Sequence, residues 1–253
     1  MSIADPFLSV VVPVFNEAEA IGPLLDEIRK AVAGPRSAEI IVVDDGSTDG
    51  TDRVVEEASV LDRRVRLVQL ARNYGQTAAI AAGLRRATGA VIVTMDGDGQ
   101  NDPADIPALV AKLEEGHDVV SGWRRRRADP FWSRTVPSRL ANWVIARVSG
   151  VPLHDFGCTL KAYRREILSG VRLYGEMHRF IPVYAALEGG RIAEMEVHHR
   201  ERTTGRTKYG LGRTFKVLLD LLTLKFLGSY LAKPMYVFGG TGLACMGAGV
   251  LAG

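Results

Sequence analysis

Asp96-Gly97-Asp98-Gly99-Gln100 puts two carboxylates and an amide at alternate positions, directly after an apolar run. Carboxylates one residue apart can converge on a hard divalent cation, and the two glycines let the backbone turn tightly. The chemistry open to such a loop is magnesium or manganese bridging a substrate diphosphate. A plain Asp-Gly turn with no ligand is the competing reading of a lone DGDG. An EF-hand is excluded, because no Glu follows at the twelfth loop position. A second acidic strand end, Asp44-Asp45, favours the ligand site, since both pairs are expected on one rim.

These residues need elements to position them. Leu8–Val14, Glu39–Val43, Val65–Leu70, Ala90–Met95 and Asp118–Ser121 are short β-branched runs that predict buried strands. Between them, Ala18–Val32, Thr51–Ala58, Thr77–Ala87 and Pro107–Glu115 carry apolar residues at helical spacing. The alternation predicts an α/β fold whose mostly parallel sheet is covered on both faces. In such sheets ligands bind beyond the carboxyl ends of the strands. Asn16, Glu17, Asp44, Asp45, Arg72, Asn73, Asp96 and Asp98 all fall there. No GxGxxG follows the first strand, and no GxxxxGK[ST], GxSxG or HExxH occurs. Those absences argue against a dinucleotide fold, a P-loop, a hydrolase elbow and a zinc protease.

The chain has 253 residues, 47% hydrophobic and 24% charged, which fits a folded globular protein. Two cysteines, Cys158 and Cys245, make neither a disulfide framework nor a zinc site. The first residues lack the basic start and apolar core of a secretory leader, so a reducing compartment is expected. A net charge of +3 hides an asymmetry. Residues 1–122 carry 11 Lys/Arg against 20 Asp/Glu, residues 123–233 carry 21 against 9, and residues 234–253 carry none. No nucleic-acid motif accompanies the basic half. It runs straight into the apolar tail, which favours an anionic lipid surface.

In that basic half, Arg124–Arg127 follow the last predicted strand of the sheet. Trp132–Val148 then reads as a helix with Trp132, Val136, Leu140, Trp143, Val144 and Val148 on one stripe, and with Pro137 starting or kinking it. Core packing and a seat in a membrane interface both account for that pattern. Glu196–Arg202 reads as a strand, on which the adjacent His198 and His199 point to opposite faces. Leu211–Leu231 is a second amphipathic helix, and 234–253 supplies twenty uncharged residues, just enough for a bilayer span. The chain stops as this segment ends, so either a truncated chain or a single terminal span is expected.

VVVPVFNE, VVDDGSTDGT, RNYGQTAAIAAG and TMDGDGQNDP, in that order, resemble family 2 inverting glycosyltransferases of the polyprenyl-phosphate type. The likeness covers essentially the whole chain. It implies a glycosyltransferase A-type nucleotide-sugar-binding domain over 1–210, including an interfacial helix at about 132–148. A juxtamembrane helix at 211–233 and a transmembrane segment at 234–253 would follow, with the catalytic domain on the cytoplasmic side of the membrane. The resemblance places Pro13, Phe15, Glu17, Asp44, Asp45, Arg72, Gly75, Gln76 and Asp96 around the nucleotide. The family often has Tyr where Phe15 stands. Asp96, Asp98 and Gln100 would hold Mg2+ or Mn2+, although the common DADLQ reads DGDGQ here. Asp98 and Asp155 would serve catalysis, and Arg124, Arg134, Ser138, Arg202 and Lys208 would meet the acceptor phosphate or the donor diphosphate.

The implied reaction moves a hexose from a nucleotide-sugar, such as UDP-glucose or GDP-mannose, to dolichyl or undecaprenyl phosphate. Membrane lipid would be a further partner, nucleic acid would not, and self-association is left open. A family 2 enzyme with a glycan acceptor is the alternative within the class. A non-catalytic nucleotide-sugar-binding protein is the alternative outside it. The resemblance predicts that Arg134→Ala raises the KM for lipid phosphate with little change in the KM for donor. An unchanged acceptor KM in steady-state kinetics would count against that role.

Overall fold

The computed structural model describes residues 7–34, 37–125, 136–171, 173, 175–201 and 235–252. β1 (Leu8–Val14), β2 (Ala38–Asp44) and β4 (Val91–Thr94) are buried at every position. β3 (Val65–Gln69), β5 (Val119–Trp123), β6 (Lys161–Arg164) and β7 (Ile192–Glu196) complete one sheet of order β3-β2-β1-β4-β6-β5-β7. β6 runs antiparallel to both neighbours, and every other pairing is parallel.

Both faces are covered, which is why the strands read as continuous apolar runs. Val10, Val12 and Val14 pack with α1 (Ala18–Ala31), α2 (Thr51–Leu61) and α4 (Ile106–Glu114). Val11, Ile41 and Val43 face the other way, toward α3 (Gln76–Arg86). A buried polar knot closes the amino-terminal ends of the strands. There the Glu39 carboxylate accepts from the Ser9 and Thr88 hydroxyls, the Thr88 N–H and the Arg66 guanidinium. Burial works to raise its pKa, but these hydrogen bonds win and hold it below the usual range.

One element departs from the sequence expectation, and another is described only from residue 136 onward. The strand expected over Glu196–Arg202 lies upstream, at β7. Past it, the His198 N–H turns to Asp105 (2.7 Å), His199 bridges Asn101, and the Arg200 N–H donates to the Gln100 carbonyl (2.9 Å). The chain thus leaves the sheet to lie along the acidic loop. The helix expected over Trp132–Val148 is α5 (Val136–Ser149), with Pro137 in its first turn. Ile145 sits in a second core with Phe156, Met177 and Phe180, while Trp143 is 64% exposed.

The segment expected to span a membrane forms α7 (Met235–Ala252). Eighteen residues rise about 27 Å, short of the ~30 Å hydrocarbon layer. Among the described residues no helix is long and apolar enough to cross a membrane. Phe238, Leu243, Met246 and Leu251 of α7 are exposed. The amphipathic helix expected over 211–231 lies outside the described residues.

Gly83 is where α3 meets the sheet: a methyl there would strike Val11 Cγ1 and lie 3.1 Å from Val43 Cγ2. Gly83→Ala gains about 1 kcal/mol of helix propensity, against about 1–3 kcal/mol of overpacking. The expected outcome is a lower urea midpoint. An equal or higher midpoint would show that α3 sits loosely on β1.

Candidate active site

Parallel strands deliver their carboxyl ends to one rim, and the loops there lock to each other. The Val11 carbonyl accepts from the Met95 N–H (3.1 Å), so β4 ends beside it. Pro13, two residues on, faces the same side past that end, where its missing N–H removes no ladder bond. Asn16 takes a left-handed φ of 53°. Its side-chain oxygen accepts from the Thr48 N–H (2.8 Å), and its own N–H donates to the Ser47 hydroxyl (2.9 Å). Asp44 accepts from the Ser47 N–H (3.0 Å) and hydroxyl. The two oxygens of Asp45 take the N–H groups of Tyr74 and Gly75, each at 2.8 Å. The Glu17 N–H donates to the Thr51 hydroxyl (3.0 Å). Phe15 is partly buried, and Arg72 is exposed with its guanidinium 5.0 Å over the Tyr74 ring. The structure therefore gathers the expected nucleotide-side residues on one rim. It also gives both acidic residues at the end of β2 a bracing task.

The acidic loop lies next to them. Gln76, opening α3, donates to Asp96 Oδ1 (2.6 Å). The Asp96 N–H donates to the Asn101 side chain (3.0 Å), and the Gln100 N–H to Asp98 Oδ1 (3.1 Å). A methyl at Gly97 would press on Val14 and lie 3.0 Å from the Pro13 carbonyl oxygen, so glycine lets this loop lie against β1. Burial, and then the charge of Asp98, push the Asp96 carboxyl up to about 6, against hydrogen bonding from Thr159 and the charges of Arg124 and Lys161. Among the described residues no three or more His, Cys, Asp or Glu gather as a metal cage. The donor set is two carboxylates with the Gln100 amide nearby. That set fits magnesium or manganese, which take one or two carboxylates and fill their remaining positions with phosphate oxygens and water. A cation would also relieve the repulsion that lifts Asp96.

The basic side of the rim follows β5. Asp155 is wholly buried, and Arg124 grips it with Nε to Oδ2 at 2.8 Å and Nη2 to Oδ1 at 3.1 Å. Burial opposes the charge on Arg124, but Asp155 more than offsets it and keeps the guanidinium protonated. Asp155, expected to serve catalysis, is thus found as the buried partner of Arg124. Glu194 of β7 holds this segment: one oxygen accepts the N–H groups of His154 (2.8 Å) and Asp155 (3.1 Å), and the other meets His154 Nδ1 (2.7 Å). The His154 ring stacks on Trp123 at 4.4 Å. Buried Lys161 donates to the carbonyls of Phe156 (3.2 Å) and Cys158, and burial pushes its ammonium down to about 8.

A further contact ties α3 to the segment ahead of α6 (Ile181–Leu187). The Thr77 hydroxyl donates to the Gly175 carbonyl (2.6 Å) and lies 2.6 Å from His178 Nδ1. A hydroxyl has one proton, so the ring nitrogen is the donor in the second bond. Nothing in the spacing of the sequence points to Glu194, Lys161, His178 or Arg179, which are supplied by β7, the antiparallel β6 and the turn before α6. Ser138 sits partly buried on α5. Arg134, Arg202 and Lys208 lie outside the described residues.

Comparison with known proteins agrees with this geometry. A dodecaprenyl-phosphate galacturonate synthase of Rhizobium johnstonii is 49% identical over 97% of this chain and 73% of its own length. An undecaprenyl-phosphate 4-deoxy-4-formamido-L-arabinose transferase of Proteus mirabilis is 42% identical over 85% of this chain and 67% of its own. Among solved structures, glucosyl-3-phosphoglycerate synthase from Mycobacterium tuberculosis, in complex with Mn2+, uridine diphosphate and phosphoglyceric acid, aligns with a TM-score of 0.67 at 25% identity. That alignment covers 88% of this chain and 79% of the synthase. The family profile described as glycosyl transferase family 2 matches residues 9–172. With that match and these relatives, the chain belongs to glycosyl transferase family 2 and is a glycosyltransferase.

Proposed function

We propose that the protein transfers a sugar from a nucleotide-sugar to a polyprenyl phosphate in one inverting displacement, with a divalent cation on the donor diphosphate. The observation that carries this reading is the pairing, on one rim, of the Asp96–Asp98 loop with an Arg124 guanidinium backed by buried Asp155. The names of the two relatives support a prenyl-phosphate acceptor. UDP-glucose and GDP-mannose are the first donors to test, joined by a galacturonate donor because of the Rhizobium relative.

Asp96, Asp98 and Gln100 would hold Mg2+ or Mn2+, which would supply positive charge against the leaving diphosphate. Gln76 orients Asp96 for that task through its 2.6 Å hydrogen bond. Pro13, Phe15, Glu17, Arg72 and Gly75 line the nucleotide side, with Asp44 and Asp45 bracing its loops. An acceptor phosphate is already an anion at neutral pH, so no strong general base is needed. Arg124 binds it, with Arg134, Ser138, Arg202 and Lys208 as its proposed companions. Asp155 acts through Arg124 as a positioning residue. The exposed apolar surface of α7 and the outward Trp143 support work at a membrane, and the basic flank of the apolar tail favours its cytoplasmic face.

A radiolabel transfer assay tests the reading. Label from one donor should enter the organic phase with undecaprenyl or dolichyl phosphate and be lost with EDTA. Asp98→Ala should cut transfer at least about 100-fold, on the order of 3 kcal/mol of transition-state stabilisation. Wild-type-like turnover would sink the metal assignment.

Asp96 allows a test without turnover. A carboxyl whose folded pKa is raised stabilises the fold below its unfolded pKa of 3.8, and that stability is lost as pH rises through about 6. In EDTA at pH 8, Asp96→Asn should therefore raise the thermal midpoint. The rise in midpoint that Mn2+ is expected to give the wild type should disappear. A lower midpoint that still responds to Mn2+ would refute the carboxylate pair as the ion's seat.

A further inference from the structure

We propose that Arg179 joins Arg124 in a two-guanidinium seat for one oxyanion beside Gly157. This rests on the transferase reading above and adds to it a binding residue from the turn before α6.

Gly157 marks the seat. A methyl built on it would lie 3.3 Å from Arg179 Nη1, 3.4 Å from Arg124 Nη2 and 3.5 Å from Asp155 Oδ1. Three charged groups from separate segments thus converge on one point, where a methyl would crowd the Arg179 guanidinium. Gly157 is itself partly exposed, so the point is reachable. Exposure then decides which charges a ligand meets. The side chain of Asp155 is 0% exposed and that of Arg124 16%. Arg179 is 24% exposed. The two arginine side chains thus keep some exposure, and the carboxylate keeps none. Buried Lys161 adds a third positive charge that acts on both arginines.

Arg179 is held in place for this role. Glu176 approaches its Nε at 3.5 Å, on the side away from the Nη1 that reaches Gly157. Its neighbour His178 is bonded to Thr77, one residue after the Gln76 that contacts Asp96. The Arg179 turn is therefore tied to the same helix end that orients the acidic loop. Two planar guanidiniums suit the paired oxygens of a phosphate or a carboxylate. Each substrate class offers one: the phosphate of a prenyl-phosphate acceptor, or the carboxylate of a uronic-acid donor.

The test uses the full chain with Arg179→Met, Arg179→Lys and Gly157→Ala, each checked for a thermal midpoint near the wild type. Transfer to undecaprenyl phosphate is measured with UDP-galactose and UDP-galacturonate, which differ only at the sixth carbon. If the seat holds the acceptor phosphate, Arg179→Met should raise acceptor KM at least tenfold with either donor. If it holds the sugar carboxylate, kcat/KM should fall at least tenfold for UDP-galacturonate alone. Gly157→Ala should move the same constant, and Arg179→Lys should restore only part of it, because an ammonium lacks the fork. Constants within twofold of wild type for Arg179→Met and Gly157→Ala would overturn the seat.

Should the wild type transfer no label from any donor, the transferase reading fails, and the seat is then tested by binding alone. Calorimetry with farnesyl phosphate and with galacturonate would show a weakened signal in Arg179→Met if the seat exists. Equal binding by both proteins, or none by either, would overturn it.

Discussion

β1 lies between β2 and β4 with all seven of its residues buried, so its backbone groups depend on the two flanking ladders. Polar side chains have nowhere to emerge except beyond its carboxyl end. The same holds for β2, which ends level with β1, and for β4, which ends beside Val11. The acidic residues Asp44, Asp45, Asp96 and Asp98 are therefore forced onto a single rim by the need to keep charge out of a sheet covered on both faces. At the opposite end the one buried carboxylate, Glu39, is tolerated because four donors converge on it. The two ends solve the same desolvation problem differently. One saturates its carboxylate with hydrogen bonds, and the other leaves a pair in mutual repulsion that a cation can relieve.

The parallel half of this arrangement was legible in the residues. Runs such as EIIVV and VVVPV have no polar face, so they fit only a strand covered on both sides, and the rim follows from their direction. The basic half was less legible for a physical reason. β6 is four residues of mixed character, KAYR, buried by its neighbours rather than by its own pattern. β7 ends where His198 and Arg200 find partners on the acidic loop, and no local periodicity encodes those partners. Asp155 reads as a turn residue until Arg124 and Glu194 are seen to close over it from strands 31 and 39 residues away.

The electrostatics of the rim divide along the same line. On the proposed nucleotide side, carboxylates accept backbone N–H groups and hold loops. On the β5 side, a buried carboxylate anchors the guanidinium of a side chain that is itself mostly buried. Between them, Asp96 lies within the field of Arg124 and Lys161. In the proposed reaction, a negative leaving group and a negative acceptor would approach one another across this fixed positive charge.

The rim loops are interlocked by short side chains that take the backbone N–H groups of the neighbouring loop. Asn16 bonds to Thr48 and Asp45 to Tyr74 and Gly75, while a methyl at Gly46 would lie 2.6 Å from the Arg72 carbonyl carbon. Three loops from three strands thus share one path, and an insertion or deletion in any of them would displace the other two. Variation on the nucleotide side is thereby channelled into single side chains that project from a common frame, such as Phe15 and Arg72. The β5 side, with its contacts made by long side chains, has more freedom to drift. A lineage of such enzymes would be expected to change its acceptor or sugar more readily than its nucleotide.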